Sequence, residues 1–167
     1  MRQAITCGTN NLWIWYAIER PATLGFWHKP ASACQCRIAK FGVIEPILFY
    51  GEDWLQDRHN ELFTFAAGRS ADAEDHPCPK PLTLWSELLN QYSVYGELFV
   101  DPFTGSGTSL VAAEDAGRRC VALEINPSYC EISIRRWQAA TGKPAILKET
   151  GEIFDPVAKE GDIVDES

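Results

Sequence analysis

The sequence predicts an α/β fold with a parallel β-α-β unit in its C-terminal half. A short apolar run at residues 98–100 leads into the glycine-containing segment 101–108, and helix-forming residues 109–116 follow. A second apolar run at residues 120–124 precedes another helix-forming stretch. Strand, glycine loop, helix, strand and helix in this order are typical of a parallel sheet covered by its crossover helices.

The helices of this half have clear boundary signals. After Pro81, which is expected in the first turn of a helix, apolar residues recur at helical spacing. Gly117 is placed to end the helix after the glycine loop. The pair Asn126-Pro127 starts the last helix, which is expected to stop near Gly142. The apolar residues of the helix after Pro81 are Leu82, Trp85, Leu88, Leu89 and Tyr92.

The N-terminal half has weaker patterns. Residues 12–18 form a β-branched and aromatic run that predicts a buried strand. Residues 43–50 predict a second strand, for which Pro46 favours an edge position or a bulge. Residues 52–75 are polar and poorly periodic, so we expect a loop with isolated helical turns. Further loops are expected around Pro21, Gly25 and Pro30.

Length and hydrophobicity are those of a single domain. The 167 residues, 46% of them hydrophobic, suffice for one core. The sequence has no run of about 18 apolar residues, so no membrane span is expected. Its N-terminus has no signal-peptide pattern, so a cytosolic protein is expected. We predict a domain over residues 1–147 and a tail over residues 148–167.

The net charge of −8 is unevenly distributed along the chain. Residues 148–167 contain seven acids and two lysines, a net charge of −5, which leaves −3 for residues 1–147. An acidic segment of this kind is expected to be solvated and disordered. Residues 20–44 instead contain no acid, and they predict either a phosphate-facing surface or an ordinary solvated loop. The basic residues of that stretch are Arg20, Lys29, Arg37 and Lys40.

The six cysteines do not indicate a metal site. Paired C-x-x-C sequences, which are typical of zinc sites, do not occur, and segments 34–36 and 76–78 are the nearest approach to one. Free thiols are expected in a reducing compartment. Cys120 and Cys130 fall in a predicted strand and a predicted helix, where cysteine acts as a small apolar residue.

The glycine loop predicts a nucleoside site. Gly105 and Gly107 permit a tight turn and let a ligand lie against bare backbone. Glu124 follows at the end of the next strand, at the spacing from which a carboxylate accepts hydrogen bonds from two ribose hydroxyls. The glycines alone are also compatible with a structural turn. Their combination with Asp101 and Glu124 favours an adenosine-like ligand.

Two details favour S-adenosylmethionine over other adenosine-containing ligands. A dinucleotide fingerprint has a third glycine where this chain has Leu110, and a P-loop has a Gly-Lys-Ser/Thr sequence that this chain lacks. Asp101, at the end of the strand, would repel a pyrophosphate. Its charge suits the cationic amino and sulfonium groups of S-adenosylmethionine.

Three motifs carry a resemblance to a known family. Residues 101–109 (Asp-Pro-Phe-Thr-Gly-Ser-Gly-Thr-Ser) resemble the D-P-F-x-G-S-G-T-T cofactor motif of the DNA adenine-N6/cytosine-N4 amino-methyltransferases. Residues 76–81 resemble the H-P-x-x-K-P element that precedes this motif in permuted members of phage and bacterial type. Residues 117–129 resemble the G-R-x-x-x-G-x-E-I…Y stretch that follows, except that Ala122 replaces the usual glycine.

The resemblance implies a Rossmann-like methyltransferase fold, S-adenosylmethionine as cofactor and DNA as partner. Upstream, residues 27–30 and 45–51 resemble segments of phage-type members less closely. The glycine loop would hold the methionine part of the cofactor, Glu124 the ribose, and residues 76–81 would close over the methionine end. The implied cofactor-binding residues are Asp101, Phe103, Gly105, Gly107, Thr108, Glu124, Ile125, Asn126, His76, Pro77, Lys80 and Pro81.

The catalytic motif of that family is not found in this sequence. It reads D/N/S-P-P-aromatic, and it accepts hydrogen bonds from the target amino group and stacks on a flipped base. The acid-proline pairs at residues 45–46, 101–102 and 155–156 each continue differently. In permuted members the motif lies near the N-terminus. We therefore expect the chain to start just after it, with a strand or two of the seven-stranded sheet missing.

Three functions remain open at this point. The chain is a cofactor-binding fragment or shortened DNA methyltransferase, a non-catalytic module that holds cofactor or DNA, or a subunit whose partner chain supplies the motif. The missing motif favours the last two over an independent enzyme. The intact glycine loop with both carboxylates argues against simple decay. Catalytic residues are not assigned, and the sequence does not distinguish adenine from cytosine as the target.

Overall fold

The computed structural model describes residues 2–30, 44–51, 61–66 and 80–154. A 3-10 turn, Thr9–Asn11, leads into the first helix. Among the described helices, none is long and apolar enough to cross a membrane. In chain order the elements are β1 (Gln3–Thr6), α1 (Leu12–Ile18), β2 (Thr23–His28), β3 (Ile44–Tyr50), β4 (Leu62–Thr64), α2 (Leu82–Tyr92), β5 (Leu98–Asp101), α3 (Thr108–Asp115), β6 (Arg119–Ala122) and α4 (Pro127–Thr141).

The described strands form two sheets. The first has the order β1-β3-β2-β4, in which β3 runs antiparallel to β1 and β2, and β4 runs parallel to β2. The second consists of β5 and β6, which are parallel and connected through α3. The predicted β-α-β unit and the α/β class are therefore confirmed.

The run at residues 12–18 is a helix, so the strand predicted there is wrong. Leu12 and Trp15 pack against one face of the first sheet, whereas Trp13 and Ile14 are mostly exposed. Contacts at positions i and i+3 are those of a helix lying across a sheet. This tertiary packing outweighs the strand propensity of β-branched and aromatic residues.

Strand β3 confirms the second predicted strand, but Pro46 lies in a central strand rather than at an edge. Pro46 is opposite Phe26 of β2, and the N–H of Phe26 donates to the carbonyl of Glu61 on its other side. In an antiparallel pair, opposite residues direct their backbone polar groups either toward each other or away from each other. Since the Phe26 N–H points away from β3, the Pro46 nitrogen points away from β2. There β1 has already ended, because its pairing with β3 stops at Ile47. The missing N–H thus costs the sheet no hydrogen bond.

The loops predicted at Gly25 and within residues 52–75 are wrong where β2 and β4 form. Gly25 lies inside β2, and a Cβ atom there would come within 2.7 Å of the Phe49 ring. Glycine at this position permits close packing between neighbouring strands, and it does not mark a turn.

Helix α2 connects the two sheets. Its Leu84 and Leu88 are buried against the first sheet, and its Leu89 packs with α3 and the inner face of the second sheet. Arg2, just before β1, forms an ion pair with Glu97, just before β5. The two sheets therefore lie under one helix, and the beginnings of β1 and β5 are adjacent.

Helices α2, α3 and α4 confirm the three predicted in the C-terminal half. Gly117 and Gly142 follow α3 and α4 with φ values of 67° and 68°, the left-handed conformation of a helix C-terminus. Asn126 caps α4, because its side chain accepts a hydrogen bond from the Ser128 amide. Pro81 precedes α2 as its N-cap residue, one position earlier than predicted.

The predicted domain boundary at residue 147 is crossed by hydrogen bonds. The Leu147 amide donates to the Glu152 carbonyl at 2.8 Å, and the Phe154 amide donates to the Ala145 carbonyl at 2.9 Å. Ile146 also pairs with Ile153. Residues 148–154 therefore fold back onto the preceding segment.

Candidate functional site

The glycine loop connects β5 to α3 in a tight turn. The Gly107 amide donates to the Thr104 carbonyl at 3.0 Å, and the Thr104 amide donates to the Leu123 carbonyl at 3.1 Å. Gly107 has a φ of 77°, and a Cβ atom on it would lie 2.8 Å from the Cβ of Ser133 in α4. Only glycine satisfies both the backbone conformation and this contact. The site thus depends on α4 lying directly behind the loop.

Asp101 lies at the end of β5 and is buried. Its Oδ1 accepts a hydrogen bond from the Phe103 amide at 3.0 Å, and its Oδ2 accepts one from the Ser109 hydroxyl at 2.5 Å. The carboxylate therefore connects the beginning of the loop to the first turn of α3. Each oxygen retains acceptor capacity, so this shaping role is compatible with a cationic ligand group nearby.

Cys120 of β6 lies in the same buried region. It pairs with Phe99 of β5 and packs against the cluster formed by α2 and α3. Burial, together with the negative charge of Asp101, raises the pKa of the Cys120 thiol to about 11. The side chain is therefore a neutral free thiol at physiological pH, as expected for a small apolar packing residue.

Glu124 lies two residues beyond β6, opposite the loop. Its Oε2 accepts a hydrogen bond from the Gly105 amide at 2.9 Å, and its Oε1 accepts one from the Asn126 amide at 2.9 Å. The half-buried carboxylate is thus held in place by two backbone amides. A fixed carboxylate next to a glycine loop can accept two hydroxyl groups of a sugar without first becoming ordered.

Two large apolar side chains next to these carboxylates face solvent. Phe103 is 86% exposed and Ile125 is 97% exposed. Phe103 follows Asp101 by two residues, and Ile125 follows Glu124 directly. Exposed apolar groups beside a polar site are typical of a surface that a flat or aliphatic ligand group covers.

Two residues of α4 that the sequence did not indicate hold the back of the loop. The Ser133 hydroxyl donates to the Gly105 carbonyl at 2.7 Å. Arg136 donates to the hydroxyl of Thr108, which is buried at the first position of α3, at 3.1 Å. Their spacing of three places both on one helix face. A polar pair at this spacing is the one sequence signal that points to them.

The predicted cofactor residues before α2 are placed differently from the loop residues. The Lys80 ammonium lies 3.9 Å from Oε1 of Glu45 on β3, and Pro81 is the N-cap residue of α2. His76 and Pro77 lie outside the described residues. The structure therefore brings together the predicted residues of segments 101–108 and 124–126, and it places Lys80 next to the first sheet.

The predicted basic surface is corrected at one position. Lys29 is buried, its ammonium bonds Oε2 of Glu45 at 2.8 Å, and it lies 4.4 Å from the ring centroid of Trp27. The antiparallel pairing of β2 with β3 places Glu45 opposite Trp27, two residues from Lys29. A basic residue from a stretch of sequence without acids is therefore paired with a carboxylate of the neighbouring strand. Arg20 is exposed, as predicted for a surface residue. Arg37 and Lys40 lie outside the described residues.

Comparison with known families gives a match to the family described as DNA methylase, over residues 9–135. Among curated proteins, the DNA adenine methyltransferase YhdJ of Escherichia coli (strain K12) is 35% identical over 68 residues. That alignment covers 41% of this chain and 23% of YhdJ. The matched segment thus spans about a quarter of the length of this relative.

Solved structures share the fold. The complex of M1.HpyAVI with S-adenosylmethionine matches with a TM-score of 0.63 and 18% identity, covering 81% of this chain and 73% of that one. The PvuII cytosine-N4-specific DNA methyltransferase matches with a TM-score of 0.59 and 20% identity, covering 77% and 56% respectively. The arrangement of strands and helices described above is therefore that of a methyltransferase fold, and the expected fold class is confirmed.

Proposed function

Because the chain belongs to the DNA methylase family that matches residues 9–135, we propose that it binds S-adenosylmethionine and serves the methylation of a base amino group in DNA. The target would be N6 of adenine or N4 of cytosine. The observation that carries this proposal is the pair of fixed carboxylates, Asp101 and Glu124, on either side of a glycine loop.

The residues of this site fit the cofactor group by group. Glu124, whose position is held by two backbone amides, can accept hydrogen bonds from two ribose hydroxyls. Buried Asp101 supplies negative charge for the ammonium and sulfonium groups. Ile125 and Phe103 offer exposed apolar surface for the adenine ring. Bound S-adenosylmethionine would supply an electrophilic methyl group on its sulfonium sulfur.

Methyl transfer also requires the acceptor amine to be held in line with that methyl group, with its lone pair freed from the base ring. Binding the cofactor does not position the acceptor, and positioning supplies a large part of the rate. We propose that a D/N/S-P-P-aromatic segment performs this step. It would be supplied by a further segment of the protein or by a partner chain.

The arrangement of the two sheets supports such a segment. Among the described strands, β1 pairs with β3 alone and β5 pairs with β6 alone. The ion pair between Arg2 and Glu97 holds the residues just before β1 and β5 next to each other. A strand supplied with the motif that paired with both β1 and β5 would merge the two sheets.

The outer face of the second sheet supports the same proposal. Leu98 and Val100 of β5 and Val121 of β6 are 48%, 50% and 47% exposed. They share one face, because paired residues of parallel strands point the same way. A strand followed by a helix would cover this face, as helices cover both sides of parallel sheets.

Tritiated methyl incorporation into DNA of mixed sequence tests the proposal. The isolated 167-residue chain should bind S-adenosylhomocysteine, the demethylated product, and transfer no methyl group. Addition of a chain or fused segment that carries a D/N/S-P-P-aromatic motif should restore transfer. Robust turnover by the isolated chain would show that a residue of its first half performs the work assigned to the motif.

The alternative is a module that holds cofactor or DNA without chemistry, which the absence of the motif from the sequence favours. It predicts binding of S-adenosylhomocysteine together with failure of every motif-bearing segment to restore transfer. The same assay therefore separates the two functions.

A further inference from the structure

Helix α4 contacts the glycine loop at Gly105, Ser106 and Thr108. The buried Ser133 hydroxyl donates to the Gly105 carbonyl at 2.7 Å. Nη1 of Arg136 donates to the Ser106 carbonyl at 2.6 Å and to the Ser106 hydroxyl at 2.8 Å. The same nitrogen reaches the Thr108 hydroxyl at 3.1 Å. The two α4 residues therefore connect most of the loop to one rigid helix.

These contacts determine which way the loop amides point. In a trans peptide the C=O of one residue and the N–H of the next point in opposite directions. Because the Gly105 carbonyl faces Ser133, the Ser106 N–H points away from α4. The Gly105 N–H points toward Glu124. The Gly107 N–H donates to the Thr104 carbonyl. Of these three amides, the Ser106 N–H is therefore the one that the contacts with α4 turn toward the open side of the loop.

We propose that Arg136 and Ser133 are positioning residues, which hold the loop carbonyls toward α4 so that the Ser106 amide faces the amino-acid part of the bound ligand. A backbone N–H group oriented in this way can donate to an anion such as a carboxylate. This inference rests on the proposed function for the identity of the ligand. That Arg136 and Ser133 hold the loop does not depend on which ligand binds.

The neighbouring arginine offers a matched control. Arg135 lies on the same helix, its side chain is 46% exposed, and it forms an ion pair with Glu131 one turn earlier. Arg135→Gln and Arg136→Gln remove the same charge from adjacent positions. The second variant removes the hydrogen bonds to Ser106 and Thr108.

The experiment combines amide hydrogen exchange of residues 105–108 with calorimetry of S-adenosylhomocysteine and adenosine. Arg136→Gln should speed loop exchange and weaken S-adenosylhomocysteine about tenfold or more, because several hydrogen bonds from a charged group are lost. Adenosine, which lacks the amino-acid part, should lose less than about threefold, and Arg135→Gln should change neither measurement. Arg136→Lys should recover part of the affinity, because an ammonium retains donors but not the planar fork.

Unchanged loop exchange in Arg136→Gln, or equal weakening of both ligands, would overturn the proposal. Ser133→Ala and Arg136→Lys carry the same test if Arg136→Gln does not fold. Should the unaltered chain bind no S-adenosylhomocysteine, the proposed function fails, whereas loop exchange in the variants still decides whether α4 holds the loop.

Discussion

The first sheet and the glycine-loop unit fill their interiors with different kinds of residue. The first sheet buries large apolar side chains almost completely, such as Trp27, Phe49 and Phe63. Apart from Val111, the loop unit buries small or polar ones, which are Asp101, Ser106, Thr108, Ser109, Ala112, Ala113 and Ser133. The first sheet is stabilised mainly by burial of apolar surface, and the loop unit is held mainly by specific hydrogen bonds.

The two regions therefore have different roles: the first sheet mainly stabilises the fold, and the loop unit mainly positions the groups of the ligand site. Apolar burial stabilises the fold by about 25 cal/mol for each Å² removed from water. A buried hydrogen bond replaces one made to water and contributes a net of about 1 kcal/mol, but it specifies where each group lies. Substitutions in the first sheet should therefore change the free energy of unfolding, and substitutions around the loop should change ligand affinity.

The largest effect is expected in the first sheet. Phe49→Ala should lower the free energy of unfolding by about 3–5 kcal/mol, because Phe49 is fully buried beneath α2. Urea denaturation measures this. Phe103→Ala, at an exposed position of the loop, should change stability by less than about 0.5 kcal/mol. Similar losses in both variants would remove the proposed contrast between the two regions.

The next effect is expected at the carboxylate beside the loop. Glu124→Ala should weaken S-adenosylhomocysteine by about 2–3 kcal/mol, since two charge-assisted hydrogen bonds to the ribose would be lost. Calorimetry measures the affinity, with Glu131→Ala on the surface of α4 as a control that keeps it. Tighter binding of NAD by the unaltered chain, or full affinity in Glu124→Ala, would contradict the assignment of this site.

Smaller effects are expected for two basic residues of the acid-free stretch 20–44, the buried Lys29 and the exposed Arg20. Lys29→Gln should destabilise the fold by about 1–3 kcal/mol, because Glu45 would lose its closest charged partner. Arg20→Gln should leave stability unchanged and reduce the salt dependence of DNA binding by about one unit of log–log slope. Denaturation and DNA titrations at several salt concentrations measure the two. Loss of DNA binding without loss of stability in Lys29→Gln would show that Lys29 reaches phosphates.

The smallest effect is expected at the C-terminus. Removal of residues 155–167 should change the melting temperature by less than about 2 °C and leave cofactor affinity unchanged. Truncation after Gly151 should cost more, because it also removes Ile153 and Phe154, which pair with residues 145–146. Thermal melting of the two truncated chains measures the difference. Equal melting temperatures would support the predicted boundary at residue 147.

Helix ends and the glycine loop were predictable because their signals lie within a few residues of each other. Gly117, Asn126 and Gly142 act on their own helix through local backbone geometry. Asp101 and Glu124 could be assigned to one site because parallel strands end at the same edge of a sheet. For these elements, sequence neighbours and spatial neighbours are the same residues.

The sequence by itself determined the β-α-β unit, its loop and its two carboxylates, because these depend on local conformation and on the end of each strand. Only the tertiary structure decided that residues 12–18 form a helix, that Pro46 fits a central strand, and that Lys29 is paired with Glu45. It also decided that α4 lies behind the loop, where Arg136 reaches it across 28 residues of sequence. Each of these depends on which segments pack together, and a residue's own neighbours in the chain carry little information about that.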